Sequence, residues 1–169
     1  MSSESGSQSD LNGRLAGVLD STDTKIIAEL QRDGRISVRA LAEKAHISRA
    51  NAYARISRLV EQGTIAGFTA RLDPRKIGLG TTAYVGITID QAAWRAIAAR
   101  LREIPYIEHF ALVGGDHDVL ALVRAPDNAA LRDVVLDRIQ DIPGVRSSRT
   151  WLVFEEQPGR GVPWNPADS

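Results

Sequence analysis

Apolar residues recur along the chain with two different periods, and the change from one to the other divides it. Between about residues 20 and 62 they return every three or four positions, as Ile26, Ile27 and Leu30, then Leu41, Ala42 and Ala45, then Ala52, Ile56 and Leu59. Such spacing lines one face of a helix. A residue able to cap precedes each set: Asp20 or Ser21, Ser37 and Ser48, whose side-chain oxygen can accept an N–H of the first turn. Asp33-Gly34 ends the first helix and Gln62-Gly63 the third. From Ile65 the pattern alternates through Phe68 to Leu72, which predicts a short strand before the turn at Asp73-Pro74. Beyond it the pattern predicts strand (about 82–89), helix (91–103), strand (106–113), strand (118–125), helix (128–141) and strand (146–154).

That order is βαββαβ. Ile104-Pro105-Tyr106-Ile107 and Ile142-Pro143-Gly144-Val145 each follow a helix and feed a strand, so the second part reads as two βαβ units joined by the Gly114-Gly115-Asp116-His117 turn. A split βαβ, ferredoxin-like sandwich follows, with helices on one face of the sheet only. The alternation through Tyr84-Val85-Gly86-Ile87-Thr88-Ile89 leaves side chains on the other face, and an apolar open face implies a partner, here a second copy. The expected class is α+β. It comprises a Ser-rich disordered arm (1–18), a helix-turn-helix, winged-helix-like domain (19–64), a strand and linker (65–80), a ferredoxin-like domain (81–156) and a C-terminal tail (157–169).

Charge alters this picture only locally. The chain is formally neutral, yet Asp20 to Leu72 holds nine Lys or Arg against six Asp or Glu, and Asp73 to Ser169 holds eleven against thirteen. Within His46 to Val60 stand Arg49, Arg55 and Arg58 with no acidic residue, a concentration that suits a small DNA-reading surface. With no cysteine, disulfides and thiolate metal sites are excluded, and three scattered histidines give no reason to expect a metal or any other cofactor. No apolar run is long enough to span a bilayer, and the first residues lack the apolar core of a secretion signal. A cytoplasmic protein without membrane contact is expected.

Only Ala45-His46-Ile47-Ser48 separates the second and third helices, a turn short enough for a helix-turn-helix. A recognition helix enters the major groove by its N-terminal end, which here reads Ser48-Arg49-Ala50-Asn51. Arginine can grip guanine and asparagine can pair with adenine. The candidate DNA-contacting residues are Ser37 and Arg39 on the second helix, with Ser48, Arg49, Asn51, Ala52, Arg55 and Arg58 on the third. An ordinary solvated helix face would carry the same arginines.

The runs Leu19-Asp20-Ser21-Thr22-Asp23-Thr24-Lys25-Ile26-Ile27, Leu30-Gln31-Arg32-Asp33-Gly34-Arg35-Ile36-Ser37 and Gly63-Thr64-Ile65-Ala66-Gly67-Phe68, with Val113-Gly114-Gly115-Asp116-His117-Asp118 and Ile142-Pro143-Gly144-Val145, resemble the Lrp/AsnC (leucine-responsive, feast/famine) regulators over about residues 19–156. The resemblance implies a sequence-specific regulator of transcription, not an enzyme, that binds double-stranded DNA as a homodimer assembling to an octamer. It also implies a small-molecule effector, an amino acid, held in a cleft between neighbouring dimers. Carried over by position, that pocket includes Leu112, Gly115, Asp118, Asn128, Trp151, Leu152 and Val153. Plain sheet packing is the alternative for Leu112, Leu152 and Val153. Three positions depart from the family pattern. His46 replaces a glycine in the inter-helix turn, Arg49 a frequent proline, and His117 an aromatic, this last read as an exposed loop histidine. Rival classes are an enzyme built on the α/β domain, for which no titratable cluster stands out, and an RNA binder on the open sheet, where Tyr84 and Phe110 are sparse.

Overall fold

Three capped helices make the first part of the protein. Asp20 accepts from the backbone N–H groups of Thr22 (2.9 Å) and Asp23 (2.8 Å) while the Asp23 carboxylate accepts from Asp20 N–H in return, a reciprocal cap that starts α1 (Ser21–Arg32). Ser37 caps α2 (Val38–Ala45) through Ala40 N–H, and Ser48 caps α3 (Arg49–Glu61) through Asn51 N–H. Ile26, Leu41, Ala45 and Leu59 meet in the centre, with Ile27, Leu30, Ile36, Ile47 and Ile56 packed around them. The computed structural model describes residues 19–157 and 159. It forms two units, one ending at Ala70 and the other beginning at Arg71. The expected arm and nearly all of the expected tail lie outside the described residues.

The strand expected over Ile65–Leu72 is not formed. Residues 66–73 have no regular structure, and Phe68 and Leu72 are exposed. Alternation marks a segment that can pair, but a strand also needs a neighbouring edge, and none of the described strands lies beside this one. The helix-turn-helix therefore carries no wing among the described residues.

The second unit is a four-stranded antiparallel sheet of β1 (Thr81–Ile89), β2 (Ile107–Leu112), β3 (Val119–Ala125) and β4 (Val145–Leu152), in the order β2-β3-β1-β4. The expected βαββαβ order and ferredoxin-like topology both hold. A 3₁₀ turn at Gln91–Ala93 leads into α4 (Trp94–Glu103), and α5 begins at Asn128, capped by Asp127. α5 is not the uniform helix expected over 128–141. After Asp133 it widens to a π-type turn over Val134–Ile139, where Gln140 N–H donates to Val135 C=O. The adjacent β-branched Val134 and Val135 at the start of this segment are both buried in the core. Ala83, Val85, Ile87 and Ile89 of β1 face the helices with Val119, Ala121 and Val123 of β3, over Ile97, Leu101, Leu131 and Ile139.

Candidate nucleic-acid interface and effector site

Burial sorts the side chains of α3 into two faces. Ala52, Ile56 and Leu59 turn inward, and Ala52 and Leu59 are wholly buried. The placement of Ala52 among the DNA-contacting residues is therefore corrected. At i, i+4, i+7 with Ile56 and Leu59 it belongs to the inner face, where a small side chain allows close packing. Arg49, Ala50, Asn51, Tyr53 and Ala54 are exposed. Tyr53, 67% exposed, was missed from the sequence although it stands one turn beyond Arg49. Arg49 has no hydrogen bond or ion pair among the described residues. Ser37 and Ser48 use their oxygens as cap acceptors, which leaves each hydroxyl hydrogen free to donate. Arg39 pairs with Glu43 at 3.1 Å on an exposed face.

Arg55 and Arg58 are not free cations. Arg55 Nη1 donates to Asp20 Oδ2 (2.6 Å) and Asp23 Oδ1 (2.8 Å), and its Nε donates to Asn51 Oδ1 (2.8 Å). Arg58 Nη2 donates to Asp23 Oδ2 at 2.6 Å. Asp23 is the one buried charged residue of the described chain, 1% exposed. Burial pushes its carboxyl up, but hydrogen bonds from Arg58 and Arg55 outweigh that and hold it below the usual range. Backbone N–H donation from Asp23 and the Arg55 guanidinium lower Asp20 likewise. A residue that closes the first turn of α1 thus also ties α1 to α3. The sequence showed the cap without showing the tie.

In the second unit the expected effector residues fall into two groups. Leu112 ends β2, Gly115 lies in the following loop at φ 135°, and Asp118 immediately precedes β3, all at the Ile87–Ile89 end of β1. Asn128 accepts from Thr81 Oγ1, Leu152 pairs with Ala83, and Val153 N–H donates to Thr82 C=O, all at the other end, roughly 20 Å along the strand. One sheet does not bring the two groups into contact. Trp151 links toward the first group only through its ring, which meets His117 edge-on at 5.3 Å.

Asp118 and His117 both differ from a plain loop. The Asp118 carboxylate accepts from Gln91 Nε2 (2.9 Å) and Ile89 N–H (2.9 Å), and these two donors hold it below the usual carboxylate range. It therefore fastens the end of β1 to the hairpin. His117, expected to be an exposed loop residue, instead folds back over the open sheet face and is half-buried. A Cβ at Gly86 would come within 2.5 Å of its Cδ2, so the missing side chain makes the hollow in which the imidazole lies. Its Nδ1 is buried with no hydrogen-bond partner among the described residues.

Comparison with known proteins accords with both halves of this description. Residues 19–60 match the model of the AsnC-type helix-turn-helix domain and residues 82–160 that of the Lrp/AsnC ligand binding domain. The chain is 36% identical to the leucine-responsive regulatory protein of Salmonella typhimurium over 82% of its own length and 86% of that protein's. It is 33% identical to an HTH-type transcriptional regulator of Pyrococcus furiosus over 83% and 95% of the two chains. Among solved structures it is similar to a transcriptional regulator from Neisseria meningitidis in complex with L-Met, with TM-score 0.81 and 28% identity over 88% of this chain and 98% of the other.

Proposed function

Because the chain belongs to the Lrp/AsnC family of transcriptional regulators, with a helix-turn-helix DNA-binding domain and a ligand-binding domain, we propose that the N-terminal turns of α3 read the operator and that an amino acid bound by the second unit alters the affinity or assembly of the protein. The observation that carries the first half is the outer face of α3. There Arg49 has no partner within the described chain, and the small side chains of Ala50 and Ala54 let the helix approach base edges closely. Asn51 and Tyr53 flank this face. Ser37, Arg39, Ser48 and Arg58 supply donors to phosphate, Arg58 with one of its five N–H groups already given to Asp23.

An amino acid suits the second unit because the hairpin loop offers backbone N–H groups at Gly114, Gly115 and Asp116 for a carboxylate, beside the partly engaged Asp118 carboxylate for an ammonium group. The relative from Neisseria meningitidis is itself a complex with L-Met. Leu112 and Gly115 line one part of the pocket, toward which the Trp151 ring reaches through His117, and Asn128, Leu152 and Val153 line the other, which a second copy must supply. The copies pair through the open sheet face and the unpaired segment 66–73, and dimers assemble further to an octamer. The protein works in the cytoplasm, where its DNA lies, and has no catalytic role.

Gel shifts with the DNA flanking its own gene, with and without single amino acids, test this reading. Arg49→Ala and Asn51→Ala are expected to weaken binding to the specific fragment about tenfold and binding to random duplex much less. Equal losses on both DNAs would refute base reading. An affinity and an assembly size, the latter read by sedimentation, that no amino acid changes would refute amino-acid sensing.

A further inference from the structure

Among the exposed side chains of α3, Asn51 is held on both sides of its backbone turn. Its own N–H donates to Ser48 Oγ (3.2 Å), and its side-chain Oδ1 accepts from Arg55 Nε at 2.8 Å, one helical turn on. An arginine side chain has donors and no acceptor, so the amide atom facing Nε has to be the oxygen. The nitrogen then faces the opposite way, with both hydrogens unused among the described residues. Arg55 cannot swing aside, because its Nη1 is held at 2.6 Å from Asp20 and 2.8 Å from Asp23, the latter buried and braced from its other oxygen by Arg58. The guanidinium fork serves both directions at once, Nη1 toward α1 and Nε toward Asn51.

We propose that Arg55 is a positioning residue for base recognition: anchored by Asp20 and Asp23, it locks the Asn51 amide with its NH₂ outward, so that Asn51 reads a base edge as a hydrogen-bond donor. This rests on the reading of α3 as the recognition helix. The edges that accept such a bond in the major groove are N7 and O6 of guanine, N7 of adenine and O4 of thymine. A freely rotating amide would present either its donor or its acceptor, and discriminate less.

The test uses the full chain and selection from a pool of duplexes of randomised sequence, with melting curves taken on the same samples. Asn51→Ala identifies the base position that Asn51 reads, as the one whose preference flattens. Arg55→Lys keeps the charge opposite Asp23 but has a single terminal nitrogen in place of the fork. It is expected to cut discrimination at that same position by roughly tenfold, with other positions little changed, and the double variant should discriminate no less than Asn51→Ala alone. Asp20→Asn, which retains a good helix cap while removing one anchor of Arg55, is expected to relax the same position in part and serves if the lysine variant melts. Asn51→Asp, which has no donor, is expected to lose discrimination as fully as Asn51→Ala. Folded Arg55→Lys and Asp20→Asn proteins with the wild-type preference would overturn the positioning role, and a preference retained in Asn51→Asp would overturn the donor assignment. If Asn51→Ala flattens no position, Asn51 does not read bases, and the premise fails instead.

Discussion

His46 and Tyr106 hold backbone angles that side chains with a Cβ avoid. His46 ends α2 at φ 56° and its N–H donates to Ala42 and Glu43 carbonyls, the left-handed closure that glycine makes at lower cost. His46→Gly is expected to raise the stability of the helix-turn-helix by about 1 kcal/mol, read as a higher melting temperature. Tyr106 stands at φ 71°, and Gly144, its counterpart in the second βαβ unit, at φ 95°. The requirement at Tyr106 was thus written in the sequence, in the echo between Ile104-Pro105-Tyr106-Ile107 and Ile142-Pro143-Gly144-Val145. The seat of His117 was not, because Gly86 and His117 meet only when the hairpin lies back on β1. Gly86→Ala is expected to drive the imidazole off the sheet and lower stability by about 1–3 kcal/mol, with a change in Trp151 fluorescence reporting the displaced ring. In Gly86→Ala, unchanged fluorescence together with unchanged melting would show that the hollow has no such role.

At the scale of elements, α1 and α3 are joined by charge as well as by Ile26 and Leu59. Asp20 and Asp23 are both lowered in the folded protein, so the folded state binds fewer protons than the unfolded one near and below pH 4. Their contribution is complete above the ordinary carboxyl range and is lost as the pH falls through the lowered values. Acid melts should therefore show the helix-turn-helix weakening below about pH 4. Asp23→Asn is expected to remove part of that slope and to cost on the order of 2 kcal/mol at neutral pH. A variant whose acid slope matches the wild type would show that the pair is not coupled to folding. Helices, caps and strand order were legible because periodicity and capping are local signals. The strand over 65–72 was misread because alternation says nothing about whether an edge is available. The widened turn of α5 was missed because a π-type turn leaves no period of its own. The tie of Arg55 and Arg58, expected as DNA-contacting residues, to α1 was not legible because their partners lie on another helix, more than thirty residues earlier in the chain.

For the whole molecule, the open sheet face carries Tyr84 and Trp151, both partly exposed, beside Arg124, which is clamped by Glu108, Glu156 and Thr82. In the proposed dimer this face is covered. Sedimentation of the full chain at micromolar concentration should show a dimer or larger, and Tyr84→Glu should shift it toward monomer; a wild-type monomer would refute the interface. In the proposed reading the two groups of effector residues, set toward opposite ends of one sheet, make a pocket that another copy completes. A pocket completed only by another copy has no ligand affinity apart from association, so ligand and protomer enter the binding equilibrium as a product of concentrations. Apparent affinity for the amino acid should then tighten as protein is added, and diluting the protein should silence the response even at a saturating nutrient level. With such a pocket the amount of regulator in the cell becomes an input in its own right, and the proposed assembly is a coincidence detector for nutrient and for its own abundance.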